Sequence, residues 1–393
     1  MKVLFLSVST GGGHLKAAKA LGEYIKKVDD TSEILVIDTL KYASPVVNKI
    51  IVNTYINMLK LTPKVYGKIY NASDTNSCLV GENLNYLGSG VNALFSFKIN
   101  KLVKEFKPDI VVCTHPFSLQ MVKKLDIPTI AILTDYAMHP LWVKNCIDAY
   151  VIPHEFLIED AVDKGADRQK IYPLGIPIEN KFLKEYNRKD ILNEFGLEDK
   201  TTFLIMGGSL GLGKIEDVFL RLAESRREFQ IVVVAGSNQK LKRKLEKHVK
   251  YIHSKNVCIL NYTDKIDKLM EISDFVITKP GGLTVAESLA KRLPICIISP
   301  IPGQEEKNSD FLLNCGVAIN FGNGKIDSFL SQIMDNRAKV DSMKKVAGVL
   351  AKPNALKDIY NLMCKLIKDN KLKRGVNCDI SHGDNCVYTN EKI

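Results

Sequence analysis

The sequence predicts an α/β protein built from two doubly wound, Rossmann-like domains that face each other across a cleft. Short apolar runs alternate with amphipathic helical segments along the 393 residues, which is the pattern of βαβ units. The runs are apolar throughout, as expected of parallel strands that are covered on both faces. They fall into two series separated by a polar stretch, so we expect two halves of similar design.

In each series, helical patterns lie between the predicted strands. The first series is Val3–Val8, Glu33–Ile37, Asp109–Thr114, Thr129–Leu133 and Ala149–Ile152. The second series is Phe203–Met206, Ile231–Ala235, Val257–Leu260, Phe275–Thr278 and Ile295–Ser299. Helices are predicted, for example, at Leu15–Lys27 and Thr284–Lys291. The predicted organisation is an N-terminal domain (1–178), a linker region (179–200), a C-terminal domain (201–352), a helix that returns to the N-terminal domain (353–370) and a mobile tail (371–393).

Composition and charge narrow the functional classes. Lys and Arg number 55 against 44 Asp and Glu, and the net charge of +11 favours acidic partners such as phosphates, nucleic acid or an anionic membrane. No apolar run approaches the ~18 residues that a membrane-spanning helix needs. The nine cysteines are scattered without CxxC spacing, which is typical of a reducing compartment. We therefore expect a cytoplasmic protein whose membrane contact is peripheral.

Glycine-rich turns follow two of the predicted strands and precede helices. The first contains Gly12, Gly13 and His14, and the second is Gly207-Gly208-Ser209-Leu210. Glycine lets a ligand approach the backbone, and a helix N-terminus attracts anions. The second turn nearly fits a P-loop, but Ile215 at its last position has no hydroxyl for Mg²⁺. A diphosphate site without a metal fits better, while a tight turn without a ligand is the alternative for the first.

Two later loops carry polar side chains suited to sugar hydroxyls. Glu287 lies one turn into the helix that opens at Gly281 and Gly282, where a carboxylate can accept hydrogen bonds from ribose. The helix dipole alone would also favour a Glu there. Gln304, Glu305 and Asn308 follow another strand, in a turn that prolines and a glycine fix.

The ordered set of motifs resembles the family of GT-B glycosyltransferases that contains monogalactosyldiacylglycerol synthase and the processive diacylglycerol glucosyltransferases. The matching motifs are Gly11-Gly12-Gly13-His14, Thr114-His115-Pro116, Thr134-Asp135, His139-Pro140-Leu141-Trp142, Gly175-Ile176-Pro177, Lys279-Pro280-Gly281-Gly282 and Pro302-Gly303-Gln304-Glu305. The resemblance runs to about residue 365. A more distant resemblance is to the enzyme that adds N-acetylglucosamine to the lipid precursor of peptidoglycan.

The resemblance implies a UDP-sugar donor held by the C-terminal domain, a diacylglycerol-type acceptor held by the N-terminal domain, and inversion at the anomeric carbon. The implied donor-binding residues are Gly208, Ser209, Leu210, Tyr262, Thr263, Gly281, Gly282, Leu283, Thr284, Glu287, Gln304, Glu305 and Asn308. The implied acceptor-binding residues are Gly12, Gly13, His115, His139 and Trp142. From the residues alone, Trp142 could equally be a core aromatic, and His115 could satisfy a turn.

The catalytic candidates are His14 and Asp135. Sugar transfer to a hydroxyl needs a base for its proton, and histidine titrates near neutral pH. Asp135 follows a predicted strand and either orients His14 or is itself the base. The sequence contains no Asp-x-Asp pair, so we expect neither a metal nor another cofactor.

Three remaining features bear on partners. Cys378, His382 and Cys386 supply only three ligands, which is too few for a structural zinc site. The basic stretch Lys240–Lys250 is interpreted as a solvated helix face, and nucleic acid is not expected to bind. Thr39–Ser73 has five lysines and no acidic residue, with apolar residues at 47, 50, 51, 55 and 58. This pattern predicts a basic amphipathic segment on an anionic membrane, or else a helix packed on its domain.

The leading hypothesis is therefore a glycosyltransferase that makes glycolipid at the inner face of the cell membrane. The same fold with another lipid-linked acceptor, such as a peptidoglycan precursor, is one alternative. A nucleotide-sugar-binding protein without turnover is another. The sequence does not decide between glucose and galactose.

Overall fold

A computed structural model describes residues 1–9, 12–62, 64–65, 67–68, 70, 72, 89–122, 124–208, 211, 213–250 and 256–375. Ser209 and Leu210, which are predicted to bind the donor, lie outside these residues, as do Cys378, His382 and Cys386. Two six-stranded parallel sheets form the framework, in the orders β2-β1-β3-β4-β5-β6 and β12-β11-β10-β7-β8-β9. This arrangement confirms the predicted pair of doubly wound domains.

The N-terminal sheet and its helices account for the first half of the chain. The strands are β1 (Lys2–Ser7), β2 (Glu33–Asp38), β3 (Ile110–Cys113), β4 (Thr129–Ile132), β5 (Ala149–Val151) and β6 (Ile171–Tyr172). The helices are α1 (Gly13–Val28), α2 (Thr39–Ala43), α3 (Pro45–Leu61), α4 (Ser89–Phe106), α5 (Pro116–Met121) and α6 (Ile158–Asp163).

The C-terminal domain repeats the design. The strands are β7 (Thr202–Met206), β8 (Gln230–Val234), β9 (Asn256–Leu260), β10 (Phe275–Thr278), β11 (Ile295–Ile297) and β12 (Ala318–Asn320). Its helices are α7 (Arg188–Phe195), α8 (Ile215–Glu224), α9 (Gln239–Val249), α10 (Ile266–Ile272), α11 (Gly282–Ala290), α12 (Gln304–Asn314), α13 (Ile326–Met334) and α14 (Arg337–Leu350). One more helix, α15 (Ala355–Lys373), follows this domain along the chain.

Strand β1 explains why the predicted strands are apolar throughout. Val3 and Phe5 face a core shared with α1 and α15, whereas Leu4 and Leu6 face the opposite core. Successive side chains of a strand point to opposite faces, so both faces need apolar residues when both are covered. The carboxyl ends of β1, β3 and β4 consequently lie together at one edge of the sheet.

Helix α15 belongs to the N-terminal core although it ends the described chain. Its Ile359 and Met363 are fully buried in the cluster that contains Val3 and Phe5. The helix continues past residue 370 to Lys373, and the side chains of Asn370 and Arg374 both donate to the carbonyl of Asp126. The predicted tail at 371–393 therefore starts too early.

The chain crosses between the domains at two points that touch. Gly175 has a φ of +99°, and a Cβ there would lie 2.4 Å from Cβ of Lys352. The segment predicted as a linker, 179–200, contains α7, and Tyr186 in it donates to Asp267 of α10. Buried Ile191 and Leu192 give this polar stretch an apolar side, so it packs on the C-terminal domain.

Candidate active site

His14 lies at the start of α1, directly after the turn at Gly12, whose φ is +84°. Its Nδ1 donates to the carbonyl oxygen of Thr114 at 2.9 Å and lies 2.6 Å from the hydroxyl oxygen of Thr134. A carbonyl oxygen can only accept, so the ring proton is assigned to Nδ1 and Nε2 retains its lone pair. Burial lowers the pKa of His14 below 6.5, while the charge of Asp135 opposes that effect.

His115 supports His14 from the side. The two rings meet edge to face, with centroids 4.5 Å apart. The Nδ1 of His115 accepts from the backbone amide of Phe117 at 3.1 Å, so this histidine caps α5. Burial, followed by the charge of His14, lowers its pKa well below the usual value. The hydrogen bond from Phe117 agrees with the interpretation that His115 satisfies a turn, and acceptor binding by His115 stays a prediction.

The His139-Pro140-Leu141-Trp142 motif is used structurally. His139 Nδ1 accepts from the amide of Leu141 at 3.1 Å and its ring lies 4.8 Å from that of Tyr70. Trp142 is only 5% exposed and packs in the N-terminal core. Of the two interpretations of Trp142, the core aromatic is the one that its burial supports.

Asp135 binds the opposite domain. Its carboxylate accepts hydrogen bonds from Gln304 and, at 3.0 Å, from Nδ2 of Asn308. Fully buried Asn308 also donates to the carbonyl of Pro280 at 2.9 Å and accepts from the amide of Tyr136 at 2.7 Å. The hypothesis that Asp135 orients His14 therefore needs correction: Thr114 and Thr134 orient the ring, and Asp135 acts on it through charge.

The C-terminal domain presents its glycine turn and Glu287 at the carboxyl ends of its strands. Gly208, Gly211 and Gly213 all have positive φ, and a Cβ at Gly211 would lie 2.2 Å from the carbonyl oxygen of Ala235. Glu287 on α11 is 7% exposed, and burial raises its pKa to about 8. Lys16 of α1 opposes this rise and lies over the ring of Tyr262 at 5.8 Å.

Glu305 is already engaged within its own domain. It pairs with Lys279 at 3.1 Å and accepts from the amide of Ile301 at 2.7 Å. Both members of the ion pair are largely buried, with side chains 12% and 14% exposed. Burial raises the pKa of Glu305, and the charge of Lys279 opposes the rise. The pair fastens the loop after β11 to the loop after β10.

Two of the implied donor-binding residues, Tyr262 and Thr263, follow the end of β9. Tyr262 is 58% exposed, and the hydroxyl of Thr263 accepts from the amide of Lys265 at 3.1 Å. Beside them, the buried Oδ1 of Asn261 has no hydrogen-bond partner among the described residues. Asn261 was not predicted, although its place immediately after a predicted strand was a usable signal.

The other site residues that the sequence did not identify are Thr134, Lys16 and Lys279. Thr134 and Lys279 stand inside quoted motifs, and Lys16 follows the first glycine turn. Thr134 contacts His14, Lys16 contacts Tyr262 and Lys279 contacts Glu305. These partners are distant in sequence, so only the folded chain brings them together.

Comparison with known proteins agrees with this geometry. Residues 14–178 match the family model for monogalactosyldiacylglycerol (MGDG) synthase, and residues 202–358 match the glycosyltransferase family 28 C-terminal domain. The processive diacylglycerol beta-glucosyltransferase of Staphylococcus aureus (strain MRSA252) is 32% identical over 78% of this chain and 78% of its own length. The chain belongs to this glycosyltransferase family. The Bacillus licheniformis enzyme of the same name is 28% identical over 87% of this chain and 89% of its own.

Solved structures agree with a GT-B glycosyltransferase fold. MurG of Acinetobacter baumannii superposes with a TM-score of 0.57 at 15% identity, covering 93% of this chain and 99% of its own. HepE of Anabaena in complex with UDP gives 0.54 at 12% identity, covering 93% and 100%. Within the part of this glycosyltransferase that the structure describes, no helix is long and apolar enough to cross a bilayer.

Proposed function

We propose that this glycosyltransferase moves a hexose from a UDP-sugar to diacylglycerol, with inversion, at a membrane surface. The observation that carries the proposal is the state of His14, whose Nδ1 is held by Thr114 and whose Nε2 keeps its lone pair. The relatives named processive diacylglycerol beta-glucosyltransferases support diacylglycerol as acceptor and glucose as the first sugar to test. HepE in complex with UDP supports a UDP-linked donor.

In the proposed step the acceptor hydroxyl attacks the anomeric carbon of the donor from the side opposite UDP. The bond between that carbon and the diphosphate oxygen breaks, the new glycosidic bond forms, and UDP leaves with the bonding pair. Nε2 of His14 takes the hydroxyl proton, a contribution of roughly 10²–10⁴ in rate. An α-linked donor gives a β-glycoside.

The departing diphosphate gains negative charge that the C-terminal domain is equipped to stabilise. The turn at Gly208 leads towards α8, and α11 begins at Gly282 beside the same strand ends. Backbone amides at helix N-termini stabilise phosphates without a metal. Glu287 would hold the ribose hydroxyls, and Gln304 would hold the sugar.

The acceptor's acyl chains stay in the bilayer, so the N-terminal domain needs a membrane contact. Val46 and Ile50 of α3 are 69% and 60% exposed, and Phe97 of α4 is 67% exposed. Lys41 and Lys49 are exposed on α2 and α3. Exposed apolar side chains beside lysines support binding to an anionic surface at the inner face of the cell membrane.

The test is transfer itself. The protein is incubated with vesicles containing diacylglycerol and either UDP-glucose or UDP-galactose, and the lipids are analysed by mass spectrometry and by the anomeric proton coupling. We expect a β-linked hexosyl-diacylglycerol in the parent and a loss of at least about 10²-fold in His14→Ala. A polyprenyl-diphosphate acceptor is assayed in parallel. Product from that acceptor alone would contradict the proposal, as would UDP binding without any turnover.

A further inference from the structure

Gly282 makes the tightest contact between the two domains near His14. It is buried at the start of α11, and a Cβ built on it would lie 1.9 Å from the carbonyl oxygen of Thr134 and 3.0 Å from Cα of Asp135. Gly282 is helical and lies outside the left-handed region. Glycine is therefore required at this position because there is no room for a side chain, and not because of the backbone conformation.

Hydrogen bonds also hold the two domains together beside the contact between Gly282 and Thr134, which we call the junction. Asn308 donates to the carbonyl of Pro280 and to Asp135, and accepts from the amide of Tyr136. One buried side chain thus joins the loop before α11 to the residues that follow Thr134. Nδ2 of Asn308 thus donates two hydrogen bonds at this junction, and its Oδ1 accepts one.

Thr134 connects this junction to the candidate base. Its carbonyl meets Gly282, and its hydroxyl lies 2.6 Å from Nδ1 of His14. A methyl group at 282 would have to move about 1.5 Å farther from the Thr134 carbonyl oxygen to reach ordinary contact, and a displacement of about 1 Å can already slow a reaction about 10²-fold.

We infer that Gly282 is a positioning residue that seats the donor domain against Thr134 and thereby sets His14 relative to the donor. The inference rests on the proposed function for the identity of the reaction. The absence of a side chain at 282 serves the contact between domains, and Asn308 locks that contact rather than serving the sugar alone.

The test compares Gly282→Ala with Gly322→Ala, a matched change at an exposed glycine of the same domain whose Cβ would meet nothing within 4 Å. For Gly282→Ala we expect UDP affinity within about three-fold of the parent but kcat lowered at least about 30-fold, with the donor KM little changed. The amide of Tyr136, bonded to Asn308, should exchange with deuterium at least about ten-fold faster. Gly322→Ala should match the parent in all of these measurements.

A second variant, Asn308→Asp, tests the inference if Gly282→Ala does not fold. Asn308→Asp loses both donated hydrogen bonds and should give the same faster exchange at Tyr136 and the same fall in kcat. Parent-like exchange and kcat in a folded Gly282→Ala, or in Asn308→Asp if the first does not fold, would overturn the inference. Amide exchange and UDP affinity are measured without an acceptor. If the parent fails to glycosylate diacylglycerol, the proposed function is refuted, and the exchange at Tyr136 still tests the role of Gly282.

Discussion

At the scale of single residues, the site is defined by side chains whose ordinary protonation is changed by burial. Burial lowers the pKa of His14 and raises that of Glu287, so each favours its neutral form. Neutral histidine is the form that accepts a proton. The same physical cause, burial, therefore shifts the two pKa values in opposite directions.

The pH dependence of transfer should report His14. Because burial lowers its pKa from 6.5 and the neutral ring is the active form, kcat/KM should fall as the pH decreases, with the midpoint of that fall below pH 6.5. Steady-state kinetics between pH 5 and about pH 8 measure the limb. His115→Asn, which can still cap α5, should retain the acid limb. Retention of the same limb in the residual activity of His14→Ala would rule out His14 as its source.

UDP binding should release protons from Glu287. With a pKa of about 8, this carboxyl is mostly protonated at pH 7, and ribose hydroxyls that donate to it favour the carboxylate. Calorimetry in buffers of different protonation enthalpy should detect up to about 0.9 proton released at pH 7. Glu287→Gln should release none and bind UDP more weakly. Equal release by parent and variant would remove Glu287 from this role.

The sequence predicts which residues belong to the candidate site better than it predicts which side chains contact them. The motifs predict His14, Asp135 and Glu287 as site residues, and in the structure Asp135 bonds Asn308 of the opposite domain while Lys16 of α1 acts on Glu287. Lys279 and Glu305 are 26 residues apart, and Thr134 and His14 are 120 apart. No local pattern encodes such pairs, because each depends on which strand ends become neighbours.

At the scale of elements, the strand ends are predicted within one or two residues where strands are long and apolar. Two of the four edge strands, β6 and β12, were not predicted. They span two and three residues and are only partly buried, so they lack a distinct apolar run. In the segment 39–73, Val47 packs on the core while Ile50 is exposed, so these two do not share one buried face. The side chains of Ile51 and Tyr55 lie outside the described residues.

The basic helices should direct membrane binding. Changing Lys41, Lys49 and Lys64 to Glu should abolish flotation with anionic vesicles, because each lysine near such a surface contributes about 1 kcal/mol. UDP affinity should not change. The matched control replaces Lys247, Lys250 and Lys325, which are exposed on the C-terminal domain, and should still float. Equal flotation of both triple variants would place the membrane contact elsewhere.

The helix N-termini around the glycine turn should make a metal unnecessary. Transfer should persist in excess EDTA, since backbone amides stabilise the leaving diphosphate. The measurement is the initial rate of UDP release after dialysis against the chelator. Loss of activity that Mg²⁺ or Mn²⁺ restores would contradict this account of the leaving group.

At the scale of the whole molecule, α15 makes the first domain depend on the end of the chain. Ile359 is fully buried against the first sheet, and Ile359→Ala should lower the free energy of unfolding by about 2–4 kcal/mol. Chemical denaturation followed by circular dichroism gives this value. Leu372→Ala, at a position on the same helix that is 60% exposed, should change it by less than about 0.5 kcal/mol. Similar losses in the two variants would mean that α15 is not part of the core.

The placement of α15 has a consequence for how the protein is made. Residues 1–178 are synthesised before the second domain, and α1 covers part of the sheet face that carries Val3 and Phe5. The part of that face that α15 covers stays open until residues 355–373 have been synthesised. Domains usually complete their folding in the order of synthesis. Here the second domain has all its strands before the first has its full core, so the order of completion is reversed. The nascent N-terminal half therefore keeps part of one apolar sheet face exposed until the second domain has been synthesised, and it is the half on which chaperones would act.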